Sequence, residues 1–243
     1  MNIQTSYAVC GIQRSGTSLL CEALKNTGLA GFPEEYFLDA WMEDGEWARQ
    51  HGVTSREGYL NLVKEKGTTA NGVFGTKLMW NYFGKSIQKL QELPMYEGLD
   101  APQLLPKIFP NMHYIWIVRQ DKVRQAVSWA MAGQTGHYTA WQAEENPPLQ
   151  TPVFDFEFIN NLHNLVIEGE SGWQTFFADC GIEPCKVVYE EFVNEYESTA
   201  LRILDMMHVP YPANLVFGER KVRKQTTTLN DEWVERYWAI KNK

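Results

Sequence analysis

The sequence predicts an α/β fold built on a mostly parallel sheet. Three observations carry this reading: short apolar runs recur along the chain and alternate with segments of helical spacing; Met112–Val118, MHYIWIV, is nearly apolar throughout, as a strand covered on both faces must be; and the first apolar run ends in a glycine-containing turn that opens a helix. In open α/β sheets ligands bind beyond the carboxyl ends of the strands. Function is therefore sought in the residues that follow each run.

In chain order, Tyr7–Ile12 reads as the first strand, and TSLLCEALKNTG as a helix with Leu19, Leu20, Ala23 and Leu24 on one face and Gly28 as its stop. A helix over Arg56–Lys66 precedes a second strand over Gly72–Trp80. After Met112–Val118, Asp121 caps a helix through VRQAVSWAMA. Gly133–Pro152 lacks periodicity, contains a Pro pair and reads as a loop. Asp155–Phe177 reads as one long amphipathic helix or a helix pair, with Phe158, Leu162, Leu165, Val166, Trp173 and Phe176 available for packing. Cys185–Tyr189 is the last strand, followed by a helix through Ala200, Leu201, Leu204 and Met207. No repeat or low-complexity linker divides the chain, so residues 1–243 are expected to form one domain.

Composition narrows the function. The 243 residues are 44% hydrophobic and 21% charged, as in a globular protein. A net charge of -8 gives no whole-surface attraction to nucleic acid or anionic membrane, so a polyanion must be bound, if at all, at a local site. Cys10, Cys21, Cys180 and Cys185 form no CxxC pair and read as buried free thiols rather than metal ligands or disulfides. The amino-terminal residues do not resemble a signal peptide, and no apolar run approaches the roughly 18 residues of a membrane span, which leads to the expectation of a cytoplasmic protein without stable membrane insertion.

The segment GIQRSGTS, Gly11–Ser18, joins the first strand to the first helix with the GxxxxG spacing of a phosphate loop. Gly16 permits a tight turn, the amides of Ser15–Ser18 can converge on a phosphate at the helix N-terminus, and the hydroxyls of Ser15, Thr17 and Ser18 add donors. A nucleoside triphosphatase carries Lys directly after the second Gly; here Thr17 stands there and the cation is Arg14, inside the loop. That departure argues against ordinary ATP or GTP hydrolysis. Arg119 follows the central strand, and Ser128 lies in the helix beyond it, where a right-handed crossover can bring both to one phosphate. Two anion-binding groups of this kind suit a ligand with two separated phosphates; a structural turn and a salt-bridge Arg are the plain alternatives.

These blocks together resemble the sulfotransferases that use 3'-phosphoadenosine 5'-phosphosulfate (PAPS), most closely the bacterial trehalose 2-sulfotransferase family. QRSGTSLL (Gln13–Leu20) is similar to the family's 5'-phosphosulfate loop, AGFPEEYF (Ala30–Phe37) to its catalytic-carboxylate segment, GVFGTKLMWN (Gly72–Asn81) to a recognisable block, IVRQDKVRQAVSW to its 3'-phosphate segment, and DEWVERY (Asp231–Tyr237) to its terminal helix. The blocks keep their order over nearly the whole chain. The resemblance implies a P-loop-like sulfotransferase fold, PAPS as sulfuryl donor without a metal, a small hydroxyl acceptor such as trehalose or a related glycoside, and a homodimer.

Residue by residue, the resemblance assigns Arg14, Ser15, Gly16, Thr17 and Ser18 to the 5' end of the donor, Arg119 and Ser128 to the 3'-phosphate, and Lys224 and Gln225 to a closing loop at 218–230. It aligns the catalytic base with Glu35, Arg14 being the cation that assists transfer. Residues one apart in extended chain point oppositely, so only one of Glu34 and Glu35 can face the donor. His113 and His137 are the other candidate bases. Lys77 either touches sulfate or acceptor oxygens or pairs with a carboxylate, and Trp80 and Asn81 form either a pocket wall or core. Tyr36, Tyr82, His137, Tyr138 and Trp141 are aromatic or polar groups available to a sugar, with 133–178 as the acceptor side. A small-molecule kinase with a modified phosphate loop and a non-catalytic nucleotide-binding protein are the competing functions.

Overall fold

The computed structural model describes residues 2–38, 45–138, 147–222 and 228–243. Trp141, Arg223, Lys224 and Gln225 lie outside the described residues, so the expected acceptor-side stretch and closing loop are described only in part.

Four strands, β1 (Thr5–Gly11), β2 (Val73–Met79), β3 (Met112–Val118) and β4 (Cys185–Val188), form an all-parallel sheet in the order β2-β1-β3-β4. In β1 the pleat divides the side chains between two cores. Ala8 and Cys10 join an aromatic-rich cluster with Phe74, Phe109, Tyr114 and Trp173, whereas Tyr7 and Val9 join Leu20, Leu24, Ile115, Ile203 and Leu204 on the other face. Every residue of β2 is buried, the polar Thr76 and the charged Lys77 included. The registers Cys10↔Leu78, Cys10↔Trp116 and Val118↔Val188 leave the carboxyl ends of all four strands side by side.

Helices cover both faces: α1 (Thr17–Asn26), α2 (Glu46–Gln50), α3 (Arg56–Gly67), α4 (Trp80–Gln91), α5 (Ala101–Ile108), α6 (Lys122–Thr135), α7 (Phe156–Asp179), α8 (Tyr189–Phe192), α9 (Tyr196–Met206) and α10 (Thr228–Lys241). Among the described residues, no helix is long and apolar enough to cross a membrane. Asp121 caps α6 as expected, accepting from the Arg124 amide at 2.8 Å.

Several expectations are corrected. The second strand ends at Met79, and Trp80 is already the first residue of α4. The loop expected from Gly133 begins only at Gly136, whose φ of 74° ends α6. Thr228–Asn230, expected in the closing loop, belong to α10. Asp155–Phe177 is one helix, capped by Asp155, but Phe158 and Leu165 face outward while Ile159, Leu162, Val166, Gly169, Trp173 and Phe177 face inward. Its internal glycines admit a neighbour: a Cβ on Gly172 would lie 2.1 Å from Trp80 Cε2. Of the four free thiols, Cys10 and Cys21 are buried, whereas Cys180 and Cys185 are only partly so.

Candidate active site

The turn between β1 and α1 is held from several directions. Trp173 Nε1 donates to Gly11 O at 2.9 Å, Gln125 Nε2 to Gln13 O at 2.8 Å, and Arg119 Nη1 to Arg14 O at 3.2 Å. These bonds fix Arg14 at a φ of 66° and Gly16 at 99°. For a non-glycine residue the left-handed region costs about 1–2 kcal/mol. Gly16 is the N-cap of α1 and supplies no side-chain acceptor, so the first amides of the helix keep the orientation that binds an anion.

The cations converge on this turn. Arg14 Nε donates to Ser128 Oγ at 3.0 Å and its Nη1 to Tyr138 O at 2.5 Å. Arg119, only 7% exposed, lays its guanidinium over the Tyr189 ring, 4.8 Å from the centroid. Burial, then the nearness of Arg119, lowers Arg14 to a pKa of about 10. Burial likewise lowers Arg119, against the opposing pull of Tyr189 and Glu190. Arg119 Nε and Ser15 Oγ are buried without a hydrogen-bond partner among the described residues. Buried orphan donors beside an uncapped helix start fit a phosphate-bearing ligand, since the desolvated groups otherwise lose the bonds that water would give them.

The carboxylates separate as extended chain requires. Glu34 bridges to Thr76 beside β2, with the Lys77 amide donating to Glu34 O at 2.9 Å. Its side chain turns to Lys25, 2.5 Å away, with about two-fifths of each partner exposed. Glu35 points the other way. Its Oε1 pairs with Lys77 Nζ at 2.5 Å, and its Oε2 accepts the Tyr82 hydroxyl. Lys77, 8% exposed, also donates to Ser18 Oγ at 3.3 Å, which ties this group to the first turn of α1. Burial opposes the ammonium charge, but the Glu35 carboxylate, with Cys21 and Glu34 adding to it, raises Lys77 above the ordinary lysine range. Burial, with Glu35 adding, raises Tyr82, so its phenol stays protonated and donates. A second link is Gln13 Nε2, which donates to Asn81 Oδ1 at 2.7 Å beside Tyr82.

The structure thus brings together Arg14, Ser15, Gly16, Thr17, Ser18, Glu35, Lys77, Asn81, Arg119, Ser128 and Tyr138 around one edge of the sheet. It removes others. Tyr36 is 3% exposed, stacks on Phe74 and donates to Phe32 O, so it is core and presents no face to an acceptor. Trp80 packs edge-on against Trp173 and belongs mainly to the core as well. His113 lies at the amino end of β3, across the sheet from the turn. His137, by contrast, stays beside the site: it directly precedes Tyr138, whose carbonyl oxygen accepts from Arg14, and its own amide donates to Thr135 Oγ1 at 3.3 Å. Tyr82 and Tyr189 have sharper roles than the sequence revealed; Tyr189 had one signal, its place at the carboxyl end of the expected last strand, which in the structure stops at Val188. Among the described residues no His, Cys, Asp and Glu cluster could hold a metal.

The chain matches the family model described as Stf0 sulphotransferase over residues 6–239. It is similar to the trehalose 2-sulfotransferase of Mycobacterium tuberculosis, 28% identical over 258 residues that cover 96% of this chain and 94% of that protein. The trehalose 2-sulfotransferase of Mycolicibacterium smegmatis is 28% identical over 262 residues, with the same coverage, 96% and 94%.

Proposed function

This chain belongs to the Stf0 sulphotransferase family, and we propose that it moves the sulfuryl group of PAPS to a hydroxyl of a small carbohydrate acceptor of the trehalose type. The observation that carries the reading is the meeting, at one sheet edge, of a cationic phosphate turn with a carboxylate held by Lys77 and Tyr82. The curated relatives named for trehalose support the acceptor class.

Bound PAPS would supply an activated sulfuryl group. The amides of Ser15–Ser18 and Arg14 take the 5' end, while Arg119 and Ser128 take the 3'-phosphate; the expected contribution of Lys224 and Gln225 falls outside the described residues. Glu35 accepts the proton of the acceptor hydroxyl as that oxygen bonds to sulfur. The electron pair of the broken sulfur–oxygen bond would stay on the departing 5'-phosphate, where Arg14 and the start of α1 would offset the growing charge. Asn81 and Tyr138, exposed beside these groups, are assigned to the acceptor side. Operation in the cytoplasm and as a homodimer goes with the same reading.

Calorimetry with 3'-phosphoadenosine 5'-phosphate (PAP), ADP and ATP tests the donor class. PAP is expected to bind without magnesium. Failure to bind PAP, with magnesium-dependent binding of ATP, would replace this reading by the kinase. Mass spectrometry of trehalose incubated with PAPS and the enzyme then tests the acceptor: a sulfated disaccharide is expected, and its absence alongside PAP binding moves the search to other hydroxyl compounds.

A further inference from the structure

Lys77 occupies the junction between the two halves of the site. It lies in β2, in a run whose every residue is buried, a costly place for an ammonium unless each of its partners is well placed. Those partners belong to different elements: Glu35 Oε1 at 2.5 Å comes from the segment bridged to the edge of β2, and Ser18 Oγ at 3.3 Å from the first turn of α1. On the far oxygen of the same carboxylate, Tyr82 from α4 donates its hydroxyl. Two donors, one on each oxygen, leave a glutamate side chain that is 27% exposed little freedom to rotate. A carboxylate has about four acceptor positions, so both oxygens can still receive a proton.

We propose that Lys77 is a positioning residue that ties Glu35 to the first turn of α1 through Ser18 and so aims the carboxylate at the acceptor hydroxyl. The proposal rests on the reading of Glu35 as the base. It differs from a role for Lys77 in gripping the donor, because Lys77 then acts through Glu35 rather than beside it. The other groups near Lys77 do not compete for this role. Glu34 is turned to Lys25, and burial lifts the Cys21 thiol to a pKa of about 12, which keeps it neutral. Tyr82 is the second half of the same clamp.

The test is a double-mutant cycle on the full chain, with turnover measured with PAPS and trehalose, PAP affinity by calorimetry and folding by thermal melting. Lys77→Met is expected to lower kcat about 10- to 100-fold with PAP affinity within about threefold of the unaltered enzyme, and Lys77→Arg to recover part of the loss. In the Glu35→Gln background, adding Lys77→Met should cost less than about threefold more, since the residue through which Lys77 acts is already disabled. Tyr82→Phe, alone and with Glu35→Gln, should repeat that pattern and serves if Lys77→Met does not fold.

Losses that multiply in the double variants would overturn the proposal. So would weakened PAP binding with unchanged kcat in Lys77→Met, which marks a donor-gripping cation. A crystal structure of Lys77→Met with the Glu35 carboxylate unmoved would also defeat it, with no dependence on the acceptor used. If Glu35→Gln keeps full turnover, the base assignment itself falls, and the proposal with it. If Glu35→Gln is inactive and Lys77→Met fully active, only the proposal falls.

Discussion

Replacing Gly16 by Ala probes whether the phosphate turn and the Arg119 site are one mechanical unit. Gly16 has a φ of 99°, and a Cβ there would lie 2.4 Å from Tyr189 Cδ2 and 3.3 Å from Ile117 Cδ1. The backbone conformation costs about 1–3 kcal/mol for a residue with a side chain. Displacing a packed ring adds about 1–3 kcal/mol. The control is Gly28→Ala: its φ is 68°, but no atom lies within 4 Å of the new methyl. It therefore meets only the left-handed penalty of about 1–2 kcal/mol. Urea unfolding should show Gly16→Ala losing about 2–6 kcal/mol, with Gly28→Ala losing only about 1–2 kcal/mol. Because the Tyr189 ring supports the Arg119 guanidinium at 4.8 Å, PAP affinity should fall at least about tenfold in Gly16→Ala and stay unchanged in Gly28→Ala. Equal destabilisation of the two variants, or undiminished PAP binding by a folded Gly16→Ala, would refute the coupling.

Three further outcomes are expected. Glu35→Gln should reduce turnover about 10²- to 10⁴-fold with PAP binding retained, whereas Glu34→Gln, removing only a half-exposed pair with Lys25, should change turnover little; similar turnover in both variants would disprove the assignment. Arg119→Ala should weaken PAP binding by about 2–5 kcal/mol in calorimetry, while Arg14→Ala should lower kcat more than affinity; the reverse order would exchange their roles. Burial, and then His208, lowers the pKa of His113, so the unfolded chain binds the proton first as pH falls. Stability should therefore decline below about pH 6.5, down through the depressed value, and His113→Asn should flatten that decline in urea midpoints measured between pH 7.5 and about 5.5; an unaltered decline would remove His113 as its source.

The parts of this molecule that depend on local pattern were legible in the sequence. β3 announces itself as an apolar run, and the Gly11–Ser18 turn is bounded by the strand and helix that its spacing requires. α4 and α5 were not foreseen, for identifiable reasons. α4 follows β2 without a capping side chain and contains Gly84, while α5 contains Pro102 and Pro106, residues that read as breakers although Pro102 sits harmlessly in the first turn. In the site, the residue types were readable but their directions were not. The sequence left Lys77 either a ligand contact or a partner for a carboxylate, and the structure pairs it with Glu35. Tyr36 failed as a pocket residue because the alternation that turns Glu35 toward Lys77 sends the next side chain into the aromatic core. Nor could spacing reveal that Arg14 reaches Ser128 across 114 positions, since that contact exists only once α6 has folded back beside the sheet.

That folding back also explains how an acidic protein can carry a site for a small, multiply charged anion. Each strand delivers its contribution at the same edge: Arg14 after β1, Lys77 within β2 and Tyr82 just beyond it, Arg119 after β3, and Tyr189 after β4. The chain's net charge of -8 acts at long range and disfavours extended polyanions, though salt screens it beyond about 8 Å. Arg14 and Arg119 act at short range, from a partly desolvated setting in which burial lowers the pKa of both and the nearness of Arg119 lowers Arg14 further. Glu190 pulls Arg119 toward its charged form while its carboxylate also accepts the amides of Gln120 and Asp121 at 3.0 to 3.3 Å. An anion with phosphates at two positions relieves the repulsion and supplies acceptors for buried donors in one step. By linkage such a ligand should stabilise the fold by about 2.7 kcal/mol at a hundred times its Kd, whereas a long polyanion must first approach an acidic surface to reach the same two cations.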